Sequence, residues 1–277
     1  MDDLSSPLIN LACQGKTAHL LTRILIGLLP IVSTSLMAES KQLIPIATGE
    51  YPPFVSATLP NQGMLVEIIT AAFAGSQFSP VFSFTSWPRV EAMVRSGQAF
   101  AGMPYHWTKE RDEAFLFSPP LHQGKIVFFH LQSQFPNGIK ALHLGDLQSI
   151  RVATPHGYWF EPIFKRAGIQ LSYAIDEEQA LRQVLLKRAD TVPLEQLFGT
   201  YLIKQRLTKQ TALFKQSPGL TEDRRNHDYF MIVSRTFPKT EAILTVFSQG
   251  LQRLHDSGEY HRIQQRCQSM YEIDPKP

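Results

Sequence analysis

Residues 43–75 read LIPIATGEYPPFVSATLPNQGMLVEIITAAFAG. Leu43 to Thr48 is a short apolar run that reads as a strand. Gly49-Glu50-Tyr51-Pro52-Pro53 ends it, because two prolines hold the backbone in an extended turn. After Gly63 the residues Met64, Leu65, Ile68, Ile69, Ala72 and Phe73 recur at helical spacing, and Gly75 closes the run. Strand, proline loop and helix form one α/β unit.

The same alternation continues downstream. Val81 to Phe84 predicts a second strand, and Ser86-Trp87-Pro88 opens a short helix that turns Val90, Met93 and Val94 inward and stops at Gly97. A strand-and-loop passage runs from Ala99 through Pro104-Tyr105-His106-Trp107 to Thr108-Lys109-Glu110-Arg111. Ile126 to Leu131 is a strong strand, and the turn-rich stretch 134–145 is where the chain can leave one lobe and begin another. A second series follows: a strand over Arg151 to Thr154, a His156-Gly157 turn, a helix from about Tyr158 to Arg166, a strand near Leu171, a helix over Ala180 to Leu185, and a buried strand from Asp190 to Leu194. After a strand over Tyr229 to Val233 the chain is helical from Pro238. One apolar stripe holds Ile243, Leu244, Phe247, Leu251 and Leu254, a second holds Tyr260, Ile263 and Cys267, and Asp256-Ser257-Gly258 separates them. The pattern predicts two similar α/β halves with mainly parallel sheets and a helical tail.

Composition agrees with a packed chain. Of 277 residues 43% are apolar and 18% charged, which excludes disorder and low-complexity readings. A net charge of +3 is too small to build a nucleic-acid-binding face. Ile24 to Val32 is an apolar run preceded by Lys16 and Arg23 and followed by small and polar residues up to Ala38. It reads as a secretory leader, residues 1–38, with cleavage after Ala38 or after Ser35, and is too short for a membrane span. Its removal takes two basic and two acidic residues and leaves the net charge unchanged. Cys13 goes with it, so Cys267 has no partner for an internal disulfide and reads as a small buried hydrophobe.

A set of ordered motifs gives the chain a resemblance. They are Gly49-Glu50-Tyr51-Pro52-Pro53-Phe54, Gly63-Met64-Leu65-Val66-Glu67, Ser86-Trp87 with Ser96-Gly97, Thr108-Lys109-Glu110-Arg111 leading to Phe117-Ser118-Pro119, and Ser257-Gly258-Glu259-Tyr260. In order and spacing the sequence resembles the bacterial periplasmic solute-binding proteins of family 3, the polar amino-acid type. The resemblance implies an α/β fold of the periplasmic-binding-protein-like type II, two lobes joined by two crossover strands. Lobe 1 would comprise 39–127 and 229–277, and lobe 2 would comprise 128–228. It also implies a monomer that captures a small carboxylate-bearing solute in the interlobe cleft, in the periplasm, and delivers it to an ABC-type permease. The alternatives are a sensory module for a membrane signalling partner, and a dehydratase-like enzyme on the same fold with His106 and Glu195 as its acid and base.

The resemblance assigns roles residue by residue. Arg111 would grip the solute carboxylate with its planar fork; otherwise it is a surface arginine paired with Glu110 or Asp112. Thr108 would add a hydroxyl to the same group or cap the following turn. Tyr51 and Trp87 would stack on the solute or belong to the core, and Phe54 is packing. From the second lobe, the His156-Gly157-Tyr158-Trp159 turn would open a helix whose free N–H groups receive an anion, with Tyr158 and Trp159 narrowing the site. Glu195 would meet the solute ammonium, or stand as a solvent-exposed helix-start carboxylate. Two departures limit the ligand assignment: Pro104-Tyr105-His106 stands where a hydroxyl residue is usual, and Phe100 replaces an acid. His106 and His156 read as polar lining rather than metal ligands, and no metal or cofactor motif is present. Lys204, Arg206, Lys209 and Lys215 read as a solvated face.

Overall fold

The computed structural model describes residues 41–158, 160–220 and 227–271. The leader therefore lies outside the described residues. Two sheets organise the chain. The first contains β1 (Gln42–Thr48), β2 (Phe78–Phe84), β3 (Ala101–Tyr105), β4 (Leu116–Phe117), β5 (His122–Gln123) and β11 (Asp228–Val233), in the order β2-β1-β3-β11-β4 with β5 also on β11. The second contains β6 (Ile126–Leu131), β7 (Arg151–Pro155), β8 (Gln170–Ala174), β9 (Thr191–Glu195) and β10 (Phe214–Pro218), in the order β10-β6-β9-β7-β8. The chain passes from the first sheet to the second between Gln123 and Ile126, and returns between Pro218 and Asp228.

The sheets are mixed, which corrects the expectation of mainly parallel pairing. β1 pairs parallel with β2 and β3, and β7 pairs parallel with β8 and β9. The crossover strands run the other way: β11 is antiparallel to β3, β4 and β5, and β6 is antiparallel to β9 and β10. A chain that leaves a lobe and re-enters it supplies a returning strand without a crossover helix, and such a strand is free to pair antiparallel.

Strand alternation sends each sheet's residues into two cores. In the first sheet Ile44, Ile46, Met103, Met231 and Val233 face α1 (Met64–Ala72), α7 (Thr240–Asp256) and α8 (Glu259–Tyr271), while Ala47 and Ile232 face Val90 and Val94 of α2 (Trp87–Arg95). In the second sheet Val127, Phe129, Leu131 and Val192 pack on α5 (Glu177–Leu185) and on Ile203 of α6 (Gln196–Arg206). Phe128 and Val152 pack instead on Phe164 of α4 (Glu161–Arg166). A six-residue helix, α3 (Lys109–Ala114), precedes β4.

The lobes are in contact. Leu197 and Phe198, at the start of α6, are buried in the core of the first sheet, and Tyr201 of α6 meets Tyr271 of α8 edge to face, with ring centroids 5.3 Å apart. Cys267 is buried on α8, and burial raises its thiol pKa to about 12. Among the described residues no helix is long and apolar enough to cross a membrane.

Candidate functional site

Tyr51 follows β1 in the proline loop, where its N–H and C=O both bond to Val55 and hold the loop shut. Its ring faces the other lobe. It stands 4.2 Å from the ring of Phe198, 5.6 Å from Phe54 and 5.9 Å from Tyr229, and its hydroxyl lies 2.9 Å from the Tyr229 hydroxyl. Burial, with the negative charge of Glu195, raises the pKa of Tyr51 well above the phenol range. Phe54 is fully buried, as the sequence implies.

Two histidines flank Tyr229. The His106 ring lies 4.6 Å from it and donates from Nδ1 to the Asp228 carbonyl at 3.2 Å. His122 stacks at 6.1 Å and accepts at Nδ1 from Gln264 Nε2 at 2.8 Å. Burial lowers the pKa of each to about 4, so both are neutral at pH 7.

Glu195 ends β9 and caps α6, accepting from the Phe198 N–H at 2.8 Å and from the Lys125 N–H at 3.5 Å. It is a helix-start carboxylate, but 4% exposed rather than solvated. Burial raises its pKa to about 7 against the lowering effect of those N–H groups. Tyr158 reaches the same region from the second lobe and donates to Glu177 Oε1 at 2.6 Å; burial, and with it the Glu177 charge, raises the pKa of both Tyr158 and Tyr51.

Arg111 occupies an adjoining group. Its Nη2 donates to Glu91 Oε1 at 3.2 Å, its Nη1 to the His106 carbonyl at 3.2 Å, and its guanidinium lies 4.7 Å over the Tyr105 ring. The carboxylate that pairs with it is thus Glu91 on α2, not Glu110 or Asp112. Thr108 caps α3, its Oγ1 accepting from the Arg111 N–H at 3.2 Å. Trp87 lies edge to face with Tyr105 at 5.7 Å and against the backbone of Gly49, where a Cβ would come within 2.5 Å of the indole. Glycine there lets the tryptophan close on the loop that carries Tyr51.

The anion cradle expected at the start of α4 is closed. The Glu161 carboxylate accepts from the Gly157 N–H at 2.8 Å and from the Tyr173 hydroxyl at 3.0 Å, and pairs with Lys165 at 2.7 Å. Own-chain negative charge holds the N–H that a solute anion would need. The helix also begins later than predicted, at Glu161. His156 stacks on Tyr173 at 4.4 Å instead of lining the cluster. Trp159 lies outside the described residues.

The structure therefore brings Tyr51, His106 and Tyr158, all half-buried, and the buried Glu195 into one cluster and sets Arg111, Thr108 and Trp87 beside it around Tyr105. Sequence reasoning missed Tyr229, Phe198, Glu177 and Glu91. The first stood in a recognised strand, whose start beside a crossover was the only available signal. Among the described residues no three His, Cys, Asp or Glu side chains gather as a metal site.

The comparisons agree with this architecture. No curated protein sequence matches the chain. The ligand-binding core of GluR0 from Nostoc punctiforme, in complex with L-glutamate, superposes with a TM-score of 0.61 at 20% identity over 84% of this chain and 100% of that one. An amino acid ABC transporter substrate-binding protein, AbpA of Streptococcus pneumoniae bound to L-arginine, gives 0.65 at 18% identity over 83% and 96%. A histidine kinase sensor domain gives 0.64 at 18% identity over 86% and 100%. At these identities the likeness is one of fold, and it is to two-lobed proteins of the type II periplasmic-binding architecture. The model of the bacterial extracellular solute-binding proteins, family 3, matches residues 44–268, and the chain belongs to that family.

Proposed function

We propose that this protein captures an amino acid or a close relative between its two lobes and delivers it to an ABC-type permease. The observation that carries the reading is the convergence of Tyr51, His106, Tyr158, Glu195 and Tyr229, from both lobes, on one partly buried cluster where the crossover strands meet. The lobes, 39–127 with 229–277 and 128–228, hinge about those crossovers. Arg111 exchanges Glu91 for the solute carboxylate, and Tyr51 and Trp87 flank the solute. Thr108 holds the backbone of Arg111, while His106 and Tyr158 line the cleft. Glu195 receives the ammonium group. The leader before residue 39 directs the chain to the periplasm. The glutamate- and arginine-bound neighbours support an amino acid as the solute.

A thermal-shift panel of amino acids and organic acids tests the reading, because a solute that binds only the folded state raises Tm. At least one amino acid is expected to stabilise the wild type, and Arg111→Ala to abolish the effect. No shift with any carboxylate, or an intact shift in Arg111→Ala, overturns it. The reading includes no covalent step; turnover of a cyclic carboxylic acid that His106→Ala abolishes would decide for the dehydratase alternative.

The sensor-domain neighbour supports a second reading, in which the same capture reports to a signalling partner. Cross-linking in intact cells separates the two: a permease as the partner decides for transport, a membrane kinase for sensing.

A further inference from the structure

Arg111 is held by three contacts, none of them made by burial of its own helix. α3 buries none of its six residues, and the Arg111 side chain keeps 28% of its exposure. Its Nη2 donates to Glu91 Oε1 and its Nη1 to the His106 carbonyl, each at 3.2 Å, and its guanidinium lies 4.7 Å over the Tyr105 ring. The first two contacts use N–H donors. The third uses only the flat face of the guanidinium, which the negative face of an aromatic ring attracts.

Tyr105 is fixed where Arg111 is not. It is the last residue of β3, is 6% exposed, and pairs across the sheet with Phe230 of the returning strand β11. Its hydroxyl donates to the Trp87 carbonyl at 3.3 Å, and its ring stands edge to face with the indole at 5.7 Å. A solute carboxylate that takes Nη2 from Glu91 removes one of the three contacts. The fork is then kept in place by the His106 carbonyl at one edge and by the Tyr105 ring beneath. Of the two, only the ring leaves every N–H free for the carboxylate.

This rests on the amino-acid reading above, in which Arg111 grips the solute carboxylate: we infer that Tyr105 is the positioning residue of that grip, its ring face orienting the guanidinium, so that preference for a carboxylate requires an aromatic ring at position 105 as well as the arginine.

Isothermal titration of the whole mature chain with L-arginine, L-glutamine and L-glutamate, each compared with its α-amide, tests the inference. The wild type is expected to bind at least one acid about tenfold or more tighter than the matching amide, the ratio one charge-assisted hydrogen bond supplies. Tyr105→Leu, which fills the space without a ring, should cut that ratio about fivefold. Tyr105→Phe, which keeps the ring and loses the hydroxyl, should preserve it. A merely structural role would weaken acid and amide together and leave the ratio alone. An unchanged ratio in a folded Tyr105→Leu protein therefore overturns the inference and leaves the amino-acid reading intact, as does an equal loss in Tyr105→Phe, which would assign the effect to the hydroxyl. Should Tyr105→Leu not fold, Tyr105→pentafluorophenylalanine keeps a ring but makes its face electron-poor, and the inference stands only if its ratio falls below that of Tyr105→Phe. Acids and amides that bind the wild type equally remove the carboxylate role of Arg111 and the inference with it. No binding by any of the six overturns the inference; the amino-acid reading then falls only if the wider thermal-shift panel also fails.

Discussion

The hydroxyls of Tyr51 and Tyr229 meet at 2.9 Å and tie the proline loop after β1 to the strand by which the chain returns to its first lobe. Both rings are packed, Tyr51 on Phe198 and Tyr229 between His106 and His122. Tyr229→Phe keeps those ring contacts and removes one partner of a buried hydrogen bond. It should lower the unfolding free energy by about 1–3 kcal/mol, the cost of an unsatisfied hydroxyl. Urea denaturation checks it: the midpoint should fall with an unchanged slope, and an unchanged midpoint would show that the bond contributes nothing.

His122 and His106 make the fold acid-sensitive. Each has its pKa lowered from 6.5 to about 4 by burial, so between those values the unfolded chain binds the proton that the folded chain refuses. This histidine contribution is complete above pH 6.5 and is lost as pH falls toward 4. For His122, which is 8% exposed, a shift of that size corresponds to about 3 kcal/mol. Denaturation midpoints measured from pH 7 down to pH 4 should fall for the wild type and fall less for His122→Gln; parallel curves would remove His122 as a cause.

Glu195 acts with the opposite sign. Its pKa is raised from 4.5 to about 7, so between those values the unfolded chain gives up its proton first, and stability falls as pH rises. Glu195→Gln, neutral throughout and still able to accept from the Phe198 N–H, should gain on the wild type by about 3 kcal/mol between pH 5 and pH 8. The comparison is the difference between the two unfolding free energies at each pH. A gap that stays constant across that range would show that Glu195 titrates normally.

How much of this was legible depended on whether a residue's partners are local. Ile126 to Leu131 was readable to the residue, because a strand buried nearly throughout is an unbroken apolar run. The break between α7 and α8 was readable from Ser257-Gly258. By contrast α6 and β10 escaped. The basic residues 204–215 suggested only a solvated face, while the structure puts Leu197, Phe198 and Ile203 of α6 inside and buries Ser217 of β10, where its hydroxyl meets His130 at 2.8 Å and the Ile139 N–H at 2.7 Å. A polar residue buried by bonds to distant segments leaves no periodic trace. The site divides the same way. Arg111 and Tyr51 stand in motifs, whereas Glu91 and Glu177 become meaningful only through contacts 20 and 19 residues away.

Helices α1 and α7 approach each other closely away from the cleft. A Cβ on Gly250 of α7 would stand 1.8 Å from the Ala72 carbonyl oxygen of α1. That oxygen is backbone and cannot swing aside, so Gly250→Ala must push the helices apart. Overpacking of this kind costs about 1–3 kcal/mol, which for a chain of this size lowers Tm by a few degrees. Because α1 and α7 lie behind the first sheet, solute affinity measured well below Tm should be unchanged. A variant that melts like the wild type would show that the two helices are less tightly apposed than this.

The Arg111–Glu91 pair makes the proposed carboxylate grip competitive. Its atoms are 3.2 Å apart and both side chains keep about a third of their exposure, at 28% and 33%, so the pair itself contributes little to stability. Its consequence lies in binding: a solute carboxylate must displace Glu91 from the guanidinium before it can use the fork. Glu91→Gln frees Arg111 and removes a repelling charge, so an amino-acid solute should bind about tenfold tighter, the scale of one charge-assisted hydrogen bond. Arg111→Ala should weaken the same solute by at least that factor, and in the double variant Glu91→Gln should confer no gain, since no guanidinium remains to be freed. Titration of the four proteins with one solute gives the coupling directly. Equal gains with and without Arg111 would mean that Glu91 acts as a general negative charge, and that the arginine does not hold the carboxylate.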